Sequence, residues 1–356
     1  MEMSSANKLT CDLLVEILSR LPVKSLYRFA CVSKSWNAII TNNNGYYRKK
    51  LPSPLPGVFY EVGDEFDEDS VYVSTPTNHL LQEDSIGFDI KSVLGFLPQH
   101  HKLLVQSTCN GLILCSTRPD KCLYVCNPAT KRYHKIPEPA DDHPYQMALA
   151  FDPRLSPHYK VVAMINRPDT NYMEILSSET REWVKYEDCK GRINHAYTTV
   201  SAFVRGNLHF LDLYGSFILA VDLKKKVCRE IETPSTKDPI RAGCIQQFGG
   251  SLRCALRTRE EIFVWDLVDY DNLQWRSRYR VDLQRFIEQP RQGLWFWLHI
   301  KVSALHPDTD VIFIVIGYKL LSYNLITREI TQVCKLRGMD PVYFCTYSPC
   351  YSDHLH

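Results

Sequence analysis

Apolar and polar positions follow two different periods along this chain of 356 residues, and the change of period divides it in two. Between residues 9 and 41, Leu13, Leu14, Ile17, Leu18 and Leu21 recur at spacings of one, three and four, which marks one face of a helix. Thr10 can cap its N-terminus, and Asp12 sits in the first turn, where the helix dipole favours a carboxylate. Pro22 stops it. Ser25 can open a second helix carrying Leu26, Phe29 and Ala30, and Ser33 a third carrying Trp36, Ile39 and Ile40. Helices this short are marginal alone, and each Leu or Ile left in water forgoes roughly 1.5–3 kcal/mol of burial. The segment therefore needs a partner surface, on the same chain or on another protein. The Asn- and Pro-rich stretch 42–56 has linker chemistry and favours the second.

From residue 57 the texture becomes short β-branched and aromatic runs split by Gly, Pro, Asn and Asp, which predicts strands. The segments NPATKRYHKIP (127–137), SSETREWVKYE (177–187), DLKKKVCREIE (222–232) and NLITREITQVC (324–334) share one grammar: a strand, a short Thr/Lys/Arg turn and a returning strand. DLVDYDNLQWRS (266–277) is a longer copy. The copies are spaced as propeller blades are, not as helical repeats are. Each extends backwards into four strands, which makes five complete blades. VYFCTYSP (342–349) resembles the first strand of a blade but has nothing after it, and residues 58–90 supply three strands with no first one. Pairing them closes a ring and removes the exposed sheet edges of an open array. The expected fold is thus mainly β with a small three-helix N-terminal module, followed by a six-bladed propeller closed by N- and C-terminal strands. Seven blades and a two-sheet sandwich are the alternatives.

Composition narrows the function classes. A formal net charge of +2 gives no basic excess for general nucleic-acid or membrane-surface binding. The longest apolar run, VIFIVIG (311–317), is far below the ~20 residues of a membrane helix. The start, MEMSSANK, has no apolar signal region, so the thirteen cysteines read as reduced thiols of the cytoplasm or nucleus. No phosphate-binding glycine loop, nucleophile elbow or H-E-x-x-H occurs. Cys122 and Cys126 share one face of a strand, but nothing supplies the further ligands that zinc needs. No catalytic residue, metal ligand or cofactor site is expected.

Two stretches resemble known families. Leu9, Asp12, Leu13, Leu14, Ile17, Leu18 and then RLPVKSLYRFACVSKSW (20–36) resemble the F-box of plant proteins, which docks on the Skp-type adaptor of cullin–RING (SCF) ubiquitin ligases. The family usually has Pro where this chain has Thr10, which can open the helix as well. The resemblance implies adaptor contacts from Leu9, Leu13, Leu14, Ile17, Leu18, Leu21, Pro22, Leu26, Val32 and Trp36. STCNGLILC (107–115) followed by CNPATKRYHKIP (126–137) is similar to the F-box-associated, kelch-like domain of the same proteins. The expected organisation is a disordered tail at 1–8, the F-box at 9–41, a linker at 42–56, the propeller at 57–349 and a tail at 350–356.

In such a ring the loops joining second to third strands share a rim with those joining blade to blade. That rim would carry the acidic run GDEFDED (63–69), Arg118, Arg167, Tyr214, Arg241, and Trp295 with Trp297. Arginine and aromatic residues dominate interface hot spots. The bland alternatives are a solvated loop for the acidic run and packing between blades for the tryptophans. The function this implies is a non-catalytic specificity subunit: the F-box binds the adaptor and through it a cullin, and the propeller binds a target protein for ubiquitination. The rivals are a copper oxidase on a propeller and a scaffold or sugar-binding propeller outside the ligase.

Overall fold

In a computed structural model, the described residues are 11–19, 36, 57–62, 69–74, 88–89, 91–98, 103–118, 120–140, 144, 146–166, 171–186, 197–236, 238–286, 300–336, 343–350 and 355. One helix, α1 (Cys11–Ser19), carries the start of the helical pattern, and Trp36 is also helical. The second helix expected from Ser25, the rest of the third, and Thr10 lie outside the described residues.

Five blades are each built from four consecutive antiparallel strands. Blade 1 holds β4 (Leu103–Cys109), β5 (Leu112–Thr117), β6 (Leu123–Asn127) and β7 (Arg132–Ile136). Blade 2 holds β8 (Gln146–Ala150), β9 (Lys160–Asn166), β10 (Asn171–Ser177) and β11 (Trp183–Tyr186). Blade 3 holds β12 (Tyr197–Val204), β13 (Asn207–Asp212), β14 (Phe217–Asp222) and β15 (Val227–Glu232). Blade 4 holds β16 (Ala242–Phe248), β17 (Ser251–Arg257), β18 (Glu261–Asp269) and β19 (Gln274–Asp282). Blade 5 holds β20 (Ile300–Leu305), β21 (Val311–Ile316), β22 (Lys319–Asn324) and β23 (Ile330–Lys335).

A further four-stranded sheet joins the two ends of the domain. Its order is β24 (Tyr343–Tyr347), β1 (Gly57–Val62), β2 (Asp69–Ser74), β3 (Phe88–Asp89), so the C-terminal strand takes the inner position. Period-2 alternation on β1 explains its docking. Val58 and Tyr60 enter the apolar cluster of blade 5, while Phe59 enters that of blade 1. Tyr60 stacks on its cross-strand partner Phe344, and Phe59 meets Tyr347 edge-on. Each such pair contributes about 0.5–1.5 kcal/mol beyond area burial. The sheet thus packs on blades 1 and 5 and links the first blade to the last. Among the described residues no seventh sheet forms.

The repeated turn grammar has a common local cause. The residue ending the third strand (Asn127, Ser177, Asp222, Asp269 or Asn324) accepts a backbone N–H two residues on through its side chain. Four residues on, Lys131, Arg181, Lys226, Leu273 or Arg328 adopts positive φ and starts the fourth strand. Hairpins between first and second strands turn on Asn110-Gly111, Arg205-Gly206 and Gly249-Gly250, all at positive φ as a type I′ turn requires.

In the tail, 350–356, the two residues the structure describes, Cys350 and Leu355, both meet the propeller. Asn127, fully buried, donates from Nδ2 to the Cys350 carbonyl (2.8 Å). A Cβ on Gly111 would lie 2.2 Å from the Cys350 Cβ, so that position demands glycine for space as well as for φ. Leu355 is 2% exposed and sits in the cluster shared by blades 1 and 2. Just before the tail, the Thr108 hydroxyl donates to the Thr346 carbonyl (2.8 Å). Nine of the described cysteines are free thiols, whereas Cys228 is disulfide-bonded.

Candidate functional site

Two exposed surfaces stand out, one on α1 and one on a propeller rim. On α1, Leu14, Val15 and Leu18 are buried, while Leu13 and Ile17 are 55% and 46% exposed. The exposed pair is spaced i, i+4, so it occupies one face, flanked by exposed Asp12 and Glu16. Of the residues expected to contact an adaptor, α1 therefore exposes Leu13 and Ile17. Leu14 and Leu18 are buried in the chain by itself. Trp36 is half-buried, and Leu9, Leu21, Pro22, Leu26 and Val32 lie outside the described residues.

Strand alternation places the turns between second and third strands on the same rim as the blade-to-blade connections. The β13–β14 turn of blade 3 is built to project side chains there. Asp212, buried at the end of β13, accepts from the backbone N–H of Phe217 (3.1 Å) and of Tyr214 (3.3 Å). Its carbonyl accepts from the Gly215 N–H, and Gly215 takes φ 69°. The carboxylate thus pins a tight turn at both ends. Leu213 and Tyr214 face solvent, Tyr214 at 70% exposure.

Behind the turn, Gly215 packs on Ile240: a Cβ there would come 2.6 Å from Ile240 Cγ2. This brings the Tyr214 turn against the connection that carries exposed Arg241. The Arg241 N–H donates to the Arg257 carbonyl (2.8 Å). The buried Arg257 guanidinium is pushed down to about 10, chiefly by burial and then by the charge of Arg241. Two guanidinium groups therefore sit in this part of the rim beside an exposed Tyr and Leu.

Of the rim residues expected from sequence, the structure therefore brings Tyr214 and Arg241 together. Arg118 is exposed at the end of β5 in blade 1, on the same rim but not on an adjoining blade. Arg167, Trp295, Trp297 and the acidic run up to residue 68 lie outside the described residues. Leu213 and Tyr318, both half-exposed on this rim, were not expected. Their signal was present: each lies within two residues of a glycine in a second-to-third-strand turn, Leu213 before Gly215 and Tyr318 after Gly317.

The ring axis holds a small cavity among the described residues. Inner-strand residues including Ser107, Ser201, Gln246 and Thr346 leave a cavity of about 20 Å³, room for about one water. The hydroxyls of Ser107 and Ser201 approach to 3.5 Å there. Among the described residues no group of three His, Cys, Asp or Glu is arranged to hold a metal ion. Cys122 and Cys126 lie in the apolar cluster of blade 1 with Cys115, and burial raises the Cys126 thiol well above its ordinary range. No helix among the described residues is long and apolar enough to cross a membrane.

Comparison with known proteins finds two family matches along the chain. Residues 69–348 match the F-box associated beta propeller domain, and residues 7–48 match the F-box domain. The F-box protein At5g07610 of Arabidopsis thaliana is 25% identical, over 92% of this chain and 86% of its own length. The F-box protein At5g49610 of the same plant is 28% identical, over 74% of this chain and 76% of its own. Among solved structures, YjhT superposes over 69% of this chain and 88% of its own, at 9% identity and a TM-score of 0.45.

Proposed function

Since the chain belongs to the F-box associated beta propeller family and carries an F-box ahead of that domain, we propose that it is the substrate-recognition subunit of an SCF-type (cullin–RING) ubiquitin ligase. The F-box docks on a Skp-type adaptor and through it a cullin, and the propeller holds a target protein. The observation that carries this reading is the exposed Leu13–Ile17 pair on a helix whose other apolar residues are buried. Apolar side chains left in water beside charged neighbours are suited to a protein partner.

The target surface is the rim around Leu213, Tyr214 and Arg241. It joins a large aromatic, an aliphatic and a guanidinium on a turn that is already ordered, so little conformational entropy is lost on binding. We count the composite sheet as the sixth blade of a closed ring, which gives that rim a rigid base. F-box proteins are generally non-catalytic, and in this reading the chain acts by proximity, raising the effective concentration of target lysines near activated ubiquitin. It would do so in the cytoplasm, the nucleus or both.

The test is co-purification of the adaptor with the full-length chain. Leu13→Asp/Ile17→Asp is expected to abolish it, whereas Tyr214→Ala/Arg241→Ala leaves it unchanged and loses the target. Adaptor recovery at the wild-type level with both aspartates in place would overturn the docking assignment.

A further inference from the structure

The side wall between blades 4 and 5 holds a groove of about 380 Å³, lined among others by Arg278, Tyr279, Arg280, Arg285, Tyr323 and Arg328. The comparable groove between blades 1 and 2 is smaller, about 230 Å³, and has one guanidinium, Arg181. A cleft between neighbouring blades thus occurs twice among the described residues, and of the two this one carries the greater density of guanidinium groups.

The strand that bounds it is also unusual. β19 runs for nine residues, against four to six for the outermost strands of the other four blades. It ends its sheet, so among the described residues its outer edge has no strand partner. Two of its arginines are already engaged: Arg278 with Asp266 (2.7 Å) and Arg280 with Glu261 (2.7 Å). The other carboxylate in the groove, Asp282, accepts the backbone N–H of Gln284. Arg285 and Arg328 are exposed, with no ion-pair partner among the described residues. Both are nevertheless held in place. Arg285 rides on a 3₁₀ turn (Leu283–Phe286) anchored by its buried Leu283 and Phe286. Arg328 takes φ 65° with its N–H bonded to the Asn324 carbonyl (2.8 Å).

We propose that this groove docks an extended acidic segment of a protein, which adds to the free edge of β19 and gives its carboxylates to Arg285 and Arg328. Main-chain pairing at a sheet edge supplies affinity, and guanidinium forks select carboxylate. The proposal rests on the reading of the propeller as the target-holding part, and it adds a second contact and a partner chemistry to the rim described above.

The test is fluorescence anisotropy with the full-length chain, using a labelled ten-residue peptide that alternates Glu with Val and Thr. Tight, salt-sensitive binding is expected, weakened by about tenfold or more in Arg285→Glu/Arg328→Glu. The same peptide with Lys for Glu is expected not to bind, and one with Pro at alternate positions to lose most of its affinity. Unchanged melting temperature in the double variant shows that the fold is intact. Equal affinity for the double variant, equal affinity for the Lys peptide, or preference for an RNA oligonucleotide of matched charge would overturn the acidic docking site. Retained affinity of the Pro peptide would overturn strand addition. Adaptor co-purification reads Leu13 and Ile17 alone, so failure of the groove and failure of the ligase reading are separable.

Discussion

Leu355 offers a sharp test of how the ring is held shut, because it lies eight residues beyond the last strand and yet is buried between blades 1 and 2. Replacing it with Asp leaves the chain length, and so most of the unfolded-state entropy, unchanged. Returning a fully buried Leu side chain to water costs about 1.5–3 kcal/mol. If the segment undocks, the Asn127 amide also loses the Cys350 carbonyl, and a buried donor left unmade costs a further 1–3 kcal/mol or so. Undocking also frees the backbone at Cys350 and Leu355, at about 1–2 kcal/mol per residue, which offsets part of this. The net expectation is a loss of about 2–4 kcal/mol, capped by the free energy of undocking. Because of that cap, Leu355→Ala and Leu355→Asp should converge, unlike substitutions in a closed core. Asn127→Asp is the companion variant. It keeps an acceptor for the Ala129 N–H but sets a carboxylate against a carbonyl. Its carboxyl pKa should rise above the unfolded value, so its stability is retained at low pH and lost as pH rises through the folded pKa. Urea denaturation followed by tryptophan fluorescence measures each variant. A Leu355→Asp protein within about 0.5 kcal/mol of wild type would refute the reasoning.

Other consequences can be checked alongside. Arg253, 3% exposed, donates to Asp266 in its own blade (2.6 Å) and to Asp310 in blade 5 (2.7 Å), so Arg253→Met should cost about 3–5 kcal/mol in urea melts; a neutral result would show that the two blades are held by apolar contacts alone. Burial pushes His209 and His306 down to about 4. Each binds its proton more readily when unfolded, so stability is complete above pH ~6.5 and falls as pH drops towards 4, by roughly 3 kcal/mol per histidine at most. His209 donates from Nδ1 to the Ala202 carbonyl and accepts the Tyr270 hydroxyl at Nε2, an arrangement that requires the neutral ring; an NMR titration giving His209 an ordinary value would contradict it. Asp212→Ala should free the Tyr214 turn, lowering target affinity more than overall stability, and equal target binding would mean that the turn's order is irrelevant to recognition.

Much of the fold was legible because its determinants are local. Asn110-Gly111 and Gly249-Gly250 announce type I′ hairpins by residue type, and the five copies of the third turn repeat an Asn, Asp or Ser whose side chain closes that turn. The closing strand Tyr343–Tyr347 could be recognised from its likeness to β8 and β20 and from the missing first strand at the other end. What stayed hidden depends on which surfaces meet. Leu13 and Leu14 look alike in sequence, and packing alone makes one exposed and the other buried. The segment 350–356 has no strand or helix pattern, so its docking is visible only where Gly111 leaves room for Cys350 and the cluster of blades 1 and 2 accepts Leu355. Leu213 and Tyr318 were missed because alternation marks apolar residues as core, whereas tight turns push them outward.

In the function proposed above, ring closure and proximity catalysis meet in the composite sheet. The chain from α1 enters the propeller at β1, which is flanked by β24 on one side and β2 on the other. Any orienting load between the F-box and a bound target therefore passes through a strand paired on both edges, and β24 is the strand just ahead of the docked Cys350 and Leu355. Undocking the tail exposes one face of the hairpin at Gly111 and loosens the seat of β24, while the Tyr214 turn two blades away keeps its own Asp212 support. Leu355→Asp should accordingly bind adaptor and target with near wild-type affinity, yet transfer ubiquitin more slowly or to a wider set of lysines, because effective concentration falls when the two binding parts are less rigidly joined. A reconstituted ligase assay with mapped ubiquitination sites decides the matter: unchanged rate and an unchanged set of lysines would mean that the tail stabilises the fold without positioning the target.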